Sequence, residues 1–494
     1  MASYSTTLLP LVLLSCSLVW LLLWIFVHPL RKIPGPFWAR RTSLWKVYHV
    51  YRRDLAFAIQ RAHEKYGPVI RIGPNHVNFQ TRDAIGPIYK AGSSMPKTKF
   101  YDAFTALHPN LFSTRDEEFH KMRRRQMSHS FSMATLLKFE GRFGKHLHRL
   151  FANIEQQPEG QVFDLKESVA RYAYDVISDL AFEKDLNTQS NPEANELPPI
   201  PDHILIGTMY GMVASLLPYS IRIGNKLPIP SLQKLLQSRK LLSQKASEYV
   251  NDAIEDHKAG EKETLLDNLL EAKDPSTGAP LTPAEVSSEA FAFLVAGAHT
   301  TSATLGLLFY HLLHNRYAAE KLTEELNANV PLYNEGGKEV SYSGLESKLP
   351  YTMACIKESF RITPVFTMPL PRLVTDPNGV DINGFHIPQG TAVSMISQAL
   401  HHDPQFWGGD HDQYIPERWL EDAISFNEIM PFGIGHRACI GRNIASINIL
   451  KVLCALWRNF EIIPVDKYEK LEINSLGVDE KKGPLLCTAR KRQM

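Results

Sequence analysis

The run Phe432-Gly433-Ile434-Gly435-His436-Arg437-Ala438-Cys439-Ile440-Gly441 is the densest concentration of potential chemistry in the sequence. A cysteine thiolate is an iron ligand and donates electron density that favours O–O cleavage. To stay ionised it needs amide N–H groups or positive charge close by. Glycines at 433, 435 and 441 let backbone amides approach the sulfur. Arg437 offers a forked donor to a carboxylate. A helical pattern resumes over residues 444–453 and brings a positive helix N-terminus towards the sulfur. The plainer reading of the same run is a buried structural cysteine in a glycine-rich loop.

Phe432, Gly435, Arg437, Cys439 and Gly441 complete the pattern Phe-x-x-Gly-x-Arg-x-Cys-x-Gly, so the sequence resembles the cytochrome P-450 superfamily of heme-thiolate monooxygenases. The resemblance runs in order and spacing along nearly the whole chain. It implies a mainly α fold with small β-sheets, in which iron protoporphyrin IX (heme b) lies between a long helix and the Cys439 loop. It also implies roles for other residues. Glu358-Ser359-Phe360-Arg361 places opposite charges at i and i+3 of a helix, by itself a surface ion pair of little worth. In the family such a pair joins a downstream arginine in a buried triad that serves folding and heme incorporation. Arg418 of Pro416-Glu417-Arg418-Trp419 corresponds to it. His120 and Arg124 of His120-Lys121-Met122-Arg123-Arg124-Arg125 match the helix at the heme edge. They would bind propionate together with Arg372 and Arg437. Lys121 and Arg125 would point outwards and form a positive patch for an acidic NADPH-dependent flavoprotein reductase.

Ala296-Gly297-Ala298-His299-Thr300-Thr301 aligns with the family's Ala/Gly-Gly-x-acid-Thr-Thr/Ser pattern. Gly297 would let substrate and oxygen approach the backbone and would open the helix locally. Thr300 would help deliver protons. His299 departs from the pattern, standing where an acid is usual. An imidazole can relay protons, with an ordinary pKa of about 6.5; the alternative is a passive lining of a water channel.

These residues need elements to position them. Thr282-Pro283-Ala284-Glu285 reads as a capping box with proline at the first helical position. It predicts a helix of roughly 30 residues, ending near Asn315 and apolar on all sides at its centre, hence buried. Val69-Ile70-Arg71-Ile72 and His76-Val77-Asn78-Phe79 alternate around Gly73-Pro74-Asn75 as a hairpin, and Asn378-Gly379 and Asn383-Gly384 mark two more turns. Residues 8–27 are uncharged and almost wholly apolar, long enough at about 1.5 Å per residue to cross a hydrocarbon core of ~30 Å. Arg31, Lys32, Arg40 and Arg41 follow them, with no basic residue before, so the N-terminus is expected in the lumen of the endoplasmic reticulum and the remainder in the cytosol. Ile33-Pro34-Gly35-Pro36-Phe37 then forms a stiff elbow. The expected organisation is a transmembrane anchor over 1–30 and one catalytic domain over 31–494. Five scattered cysteines do not form a disulfide framework, and a net charge of +2 gives no indication of nucleic acid binding.

Family regions that line the pocket map to residues 98–113, 203–216, 289–301 and 364–370. They hold Phe100, Tyr101, Phe104, Phe112, Phe293, Val365 and Phe366, which suits a small apolar or aromatic substrate. The stretches around Phe100 and Leu111 resemble fungal microsomal members, both secondary-metabolite oxygenases and benzoate hydroxylase-like enzymes. The first group, acting on polyketide- or terpenoid-like molecules by hydroxylation or epoxidation, is the preferred expectation, because no carboxylate-binding arginine stands out in the pocket segments. The competing functions are a benzoate-type hydroxylase, a non-oxygenating heme-thiolate isomerase or dehydratase, and a heme sensor.

Overall fold

The computed structural model describes residues 28–90, 95–191, 196–214, 220–259, 263–275, 277–333, 340–421 and 424–492, with residues 12 and 15. The expected anchor, residues 1–30, lies almost wholly outside the described residues. The site is carried by helices α1 Glu117–Met127, α2 Leu165–Phe182, α3 Ile200–Val213, α4 Pro230–Ala259, α5 Pro283–Leu313, α6 Pro350–Ile362 and α7 Arg442–Asn459.

Helix α5 begins at the capping box. Glu285 N donates to the Thr282 hydroxyl at 3.3 Å and Thr282 N donates to the Glu285 carboxylate at 2.9 Å, with Pro283 at the first position. The helix runs unbroken for 31 residues. It is apolar enough by composition to cross a bilayer, but 72% of its most apolar window is buried inside the protein, which makes it a core helix. It packs on α2, α4, α6 and α7. Gly297, expected to open the helix towards substrate, sits in a continuous α-helical stretch, and a Cβ there would fall 2.7 Å from Ile177 Cγ1 of α2. The helix is thus not opened at Gly297, and the close approach of α2 is one physical reason for a glycine there.

The main sheet is built from β1 Val69–Gly73, β2 His76–Phe79, β3 Arg372–Leu373 and β6 Ala392–Met395, in the order β1-β2-β6-β3. The first pair is antiparallel, as the alternation predicts, and β2 runs parallel to β6. The separate hairpin of β4 Val380–Ile382 and β5 Phe385–Ile387 turns at Asn383 and Gly384, both left-handed with φ of 53° and 73°. These angles are those of the tight hairpin turn that an Asn-Gly pair favours. The proline elbow lies along β1, where Pro34 O accepts from Arg71 N at 2.7 Å. A C-terminal hairpin, Ile473–Ser475 with Asp479–Lys481, packs against α5. One contiguous apolar core extends from Val50 to Cys487.

Candidate active site

Cys439 lies two residues before Gly441, the N-cap of α7. Its loop is tied back by Cys439 N donating to Phe432 O at 2.8 Å, and Gly433 and Gly435 take φ of 65° and 73°, where a side chain would strain. Although Cys439 keeps accessible surface, the packed atoms around its sulfur push the thiol up, while the Gly441 amide and the Arg124 and Arg442 guanidinium groups pull it down. Those are the groups that favour a thiolate, and the helix N-terminus adds to them. Phe432 packs its ring 5.4 Å from Phe360 of α6, which locks the loop onto the core.

Beside this loop, positive charge crowds together. Lys97, Arg372 and Arg437 act on one another through space, and Lys97 and Arg437 also act on His120. Lys97 donates to Phe112 O, Arg372 Nη1 to the Tyr101 hydroxyl at 2.7 Å, and Arg437 Nη1 to Thr114 O at 3.1 Å. Glu117 meets Arg437 at 2.7 Å, yet Arg437 Nε remains buried without a hydrogen-bond partner. Burial first, then the surrounding cations, hold the His120 pKa down to about 2, so its ring is neutral. A cluster of buried cations with an orphaned guanidinium N–H is costly by itself and calls for an anion. The two propionates of heme fit it. Arg124 Nη1 donates to Ala438 O at 2.6 Å, so its charge bears on the sulfur as well as on His120. Lys97, a basic residue that flanks the pocket segment without belonging to a motif, is a further member of this cluster. Arg123, by contrast, turns away to α5, 3.4 Å from both Glu285 and Glu289.

Across the buried middle of α5, Ala292, Val295, Ala296, Gly297 and Thr300 keep accessible surface, as do Phe432, Cys439 and Ile440. Helix α5 packs on α7, the helix that follows Cys439, so the stripe and the sulfur belong to neighbouring elements. The Thr300 hydroxyl donates to Ala296 O at 2.6 Å and leaves its lone pairs free to accept. His299 faces the other way. It is buried, its Nε2 has no hydrogen-bond partner, and the charged groups it senses are Glu480 of the C-terminal hairpin and Lys166 of α2. Those two form an ion pair at 3.2 Å that is partly open to solvent. Burial lowers the His299 pKa.

The segments expected to line the pocket bring together one aromatic cluster. Phe100 and Phe104 lie 5.5 Å apart, Phe104 and Phe112 5.4 Å, Tyr101 and Phe112 5.6 Å, and Phe112 and Phe366 6.4 Å. Val365 is buried beside them, its carbonyl accepting from Asp479 N. Phe293 does not join this cluster: its ring is buried 5.2 Å from Phe131. The loop carrying Phe112 is pinned to α5 by Glu289, whose carboxylate accepts from Leu111 N at 3.1 Å and is raised by burial to a pKa of about 7.

Glu358, Arg361 and Arg418 meet inside the protein. Arg361 contacts Glu358 at 2.7 Å with both side chains fully buried, and Arg418 reaches it at 3.2 Å.

A mainly helical body that holds a cysteine at a helix N-terminus, beneath a crossing helix and beside cations suited to two carboxylates, defines a heme-thiolate enzyme. The Cytochrome P450 family model matches residues 34–487, and the chain belongs to that family, so it is an oxidoreductase of the P450 monooxygenase class. Among its relatives, Cytochrome P450 monooxygenase gsfF of Penicillium aethiopicum is 32% identical, covering 89% of each chain. Pisatin demethylase of Fusarium vanettenii is 30% identical, covering 92% of this chain and 87% of its own length. Benzoate 4-monooxygenase bphA of Aspergillus niger is 30% identical, covering 87% of each.

Proposed function

We propose that the chain inserts one oxygen atom from O2, by hydroxylation or epoxidation, into an apolar, aromatic small molecule of polyketide or terpenoid type in fungal secondary metabolism. Electrons come from NADPH through NADPH–cytochrome P450 reductase. The observation that carries this reading is the contiguous aromatic cluster of Phe100, Tyr101, Phe104, Phe112 and Phe366, which joins two of the segments expected to line the pocket. Cys439 ligates the iron, and His120, Arg124, Arg372 and Arg437, with Lys97, hold the propionates. Heme bound there supplies the activation of oxygen. The basic residues near the pocket support this substrate class over benzoate. Of the three in or beside segment 98–113, Arg115 pairs with Asp102 at 2.7 Å at the surface, Lys99 is exposed, and Lys97 belongs to the propionate cluster. Thr300 speaks against a non-oxygenating isomerase. A reduced carbon-monoxide difference spectrum followed by a product screen with reductase tests the proposal; a chain that gives the spectrum but oxidises no aromatic compound in that screen contradicts it.

Thr300 and His299 divide the proton work in this reading. The Thr300 hydroxyl holds a proton on the accessible stripe of α5, and His299 passes protons inward from the Glu480–Lys166 side. His299→Ala is expected to lower turnover and product formed per NADPH, and His299→Asp to restore much of both. Burial disfavours the charged imidazole, so the apparent pKa on the acid side of the rate profile should fall below the ordinary value of about 6.5. Unchanged coupling in His299→Ala at equal heme content assigns His299 to packing alone.

The catalytic domain, residues 31–494, is held by its first 30 residues as a single-pass anchor at the endoplasmic reticulum, N-terminus lumenal and body cytosolic. Exposed Phe37, Trp38, Leu44, Tyr48 and Tyr51 just beyond that segment support a membrane-facing side. Deleting residues 1–28 is expected to move much of the protein into the soluble fraction with heme content unchanged. Residual attachment would run through these aromatics and Ile223, Leu227 and Ile229. Loss of heme on truncation gives the segment a structural role beyond tethering.

A further inference from the structure

A cleft of about 380 Å³ opens between the end of the helix Glu140–Glu155 and the start of α2. That is within the roughly 300–1,000 Å³ of small-molecule sites. None of its lining residues belongs to the Cys439 site. Asp164, the N-cap of α2, lines it with Glu167, Ser168 and Arg171, at i, i+3, i+4 and i+7, so they share one face. Ile177, which meets Gly297, stands on another face of the same helix. Leu150 and Ile154 of the opposing helix are buried and give the cleft an apolar side.

The strongest donors of this cleft are already bound, and its buried acceptors are not. Arg171 gives Nε and Nη2 to Glu167 at 3.0 and 2.6 Å and Nη1 to Thr188 O at 3.2 Å. Asn153 Nδ2 donates to Gln189 O at 2.9 Å. By contrast, Gln157 Oε1 and Gln189 Oε1 are both buried with no hydrogen-bond partner among the described residues. Gln189 is only 6% exposed, and its Nε2 donates to Asp175 at 3.2 Å, which fixes the end of the amide that is oxygen. The last torsion of a glutamine is soft, so either oxygen can turn towards a donor with little strain. The Asp164 carboxylate accepts from the Lys166 and Leu485 amides at 2.9 Å each, so neutral groups hold its charge in place. The C-terminus of the helix Glu140–Glu155 adds partial negative charge at the same end of the cleft.

A primary ammonium group carries a full positive charge and three N–H donors, and so matches two amide oxygens and one carboxylate in sign and number. We propose that this cleft is a second ligand site, which binds a small primary alkylamine in its protonated form through Gln157, Gln189 and Asp164. The alkyl chain lies on Leu150 and Ile154. An anion would face the Asp164 and Glu167 carboxylates, and a neutral apolar molecule would leave both amide oxygens unsatisfied. The site is separate from the heme and does not depend on the monooxygenase reading.

The test is equilibrium dialysis of the full-length holoenzyme at pH 7 against three probes. They are n-butylammonium, tetramethylammonium, a cation without N–H groups, and 1-butanol, which is neutral. Amine bound at the heme iron shifts the Soret band, so the two sites are counted separately. One n-butylammonium per chain is expected beyond any seen at the iron, bound at least about tenfold more tightly than either other probe, as charge-assisted hydrogen bonds require. Asp164→Asn keeps an oxygen for the two amides and removes the charge. Gln157→Leu removes one acceptor at a partly exposed position. Each variant should weaken n-butylammonium about tenfold, with heme content, the carbon-monoxide spectrum and any Soret titration as in wild type. If one variant loses heme, the other decides. The proposal is overturned if all bound amine is accounted for at the iron, if tetramethylammonium or 1-butanol binds as tightly, or if a variant that keeps its heme binds n-butylammonium as wild type does.

Discussion

Replacing Cys439 with serine is expected to abolish oxygenation, lowering turnover at least ~10³-fold, or about 4 kcal/mol in the barrier. The sulfur is the expected iron ligand, and the Gly441 amide, Arg124, Arg442 and the N-terminus of α7 all act against burial in favour of its thiolate. A serine hydroxyl does not ionise at the same place, so the electron donation that favours O–O cleavage is lost. Cys439→His should retain a ligand to iron but not the push of a thiolate. The measurement is the reduced carbon-monoxide spectrum beside product formation with reductase, at equal protein. A thiolate-type band and full turnover in Cys439→Ser would remove the basis of the functional assignment.

The second large effect is expected far from the chemistry. The Glu358 carboxylate accepts from Arg361 Nε and Nη2 at 2.8 and 2.7 Å, Arg418 Nε at 3.2 Å, Trp419 Nε1 at 2.8 Å and Ile415 N at 2.9 Å. Arg361 is itself fully buried and gives its other N–H groups to the carbonyls of His401, His411 and Gln413. Glu358→Gln keeps the shape but leaves the Arg361 charge buried without its counter-ion, at a cost of about 3–5 kcal/mol. That is a large share of the 5–15 kcal/mol that separates a typical folded domain from its unfolded chain. The damage should reach the heme loop. Trp419, Phe426, Phe360 and Phe432 form a line of ring contacts from the triad to the start of the Cys439 loop, at 6.2, 6.0 and 5.4 Å. The expected outcome is little folded protein and less heme per chain. Arg418→Ala, whose side chain is 12% exposed, should be milder, because water can reach the vacated end. A denaturation midpoint and heme content equal to wild type in Glu358→Gln would show that the triad is not structural.

Where an expectation depends on neighbours three or four residues apart, it could be made from the sequence by itself. The capping box at Thr282 and Glu285, the Asn383-Gly384 turn, the hairpin around residues 73–75 and the helix start after Gly441 rest on local hydrogen bonds and allowed backbone angles. The Cys439 run was legible for the same reason, since a thiolate needs its amides and glycines within the same short loop. What the sequence could not decide is which side chain each helix face would meet. Gly297 could equally have served oxygen or packing until Ile177 of α2 is found against it. Of the adjacent arginines on α1, one turns to Glu289 and the next to the Cys439 loop, a choice made by where α5 and α7 lie. Lys97 acquires a role only because β3 brings Arg372 beside it, and His203 is buried only because Phe104 and Phe291 close on it from segments about 100 and 90 residues away. Burial and long-range packing decide these partners, and neither is encoded in a window short enough to read along the chain.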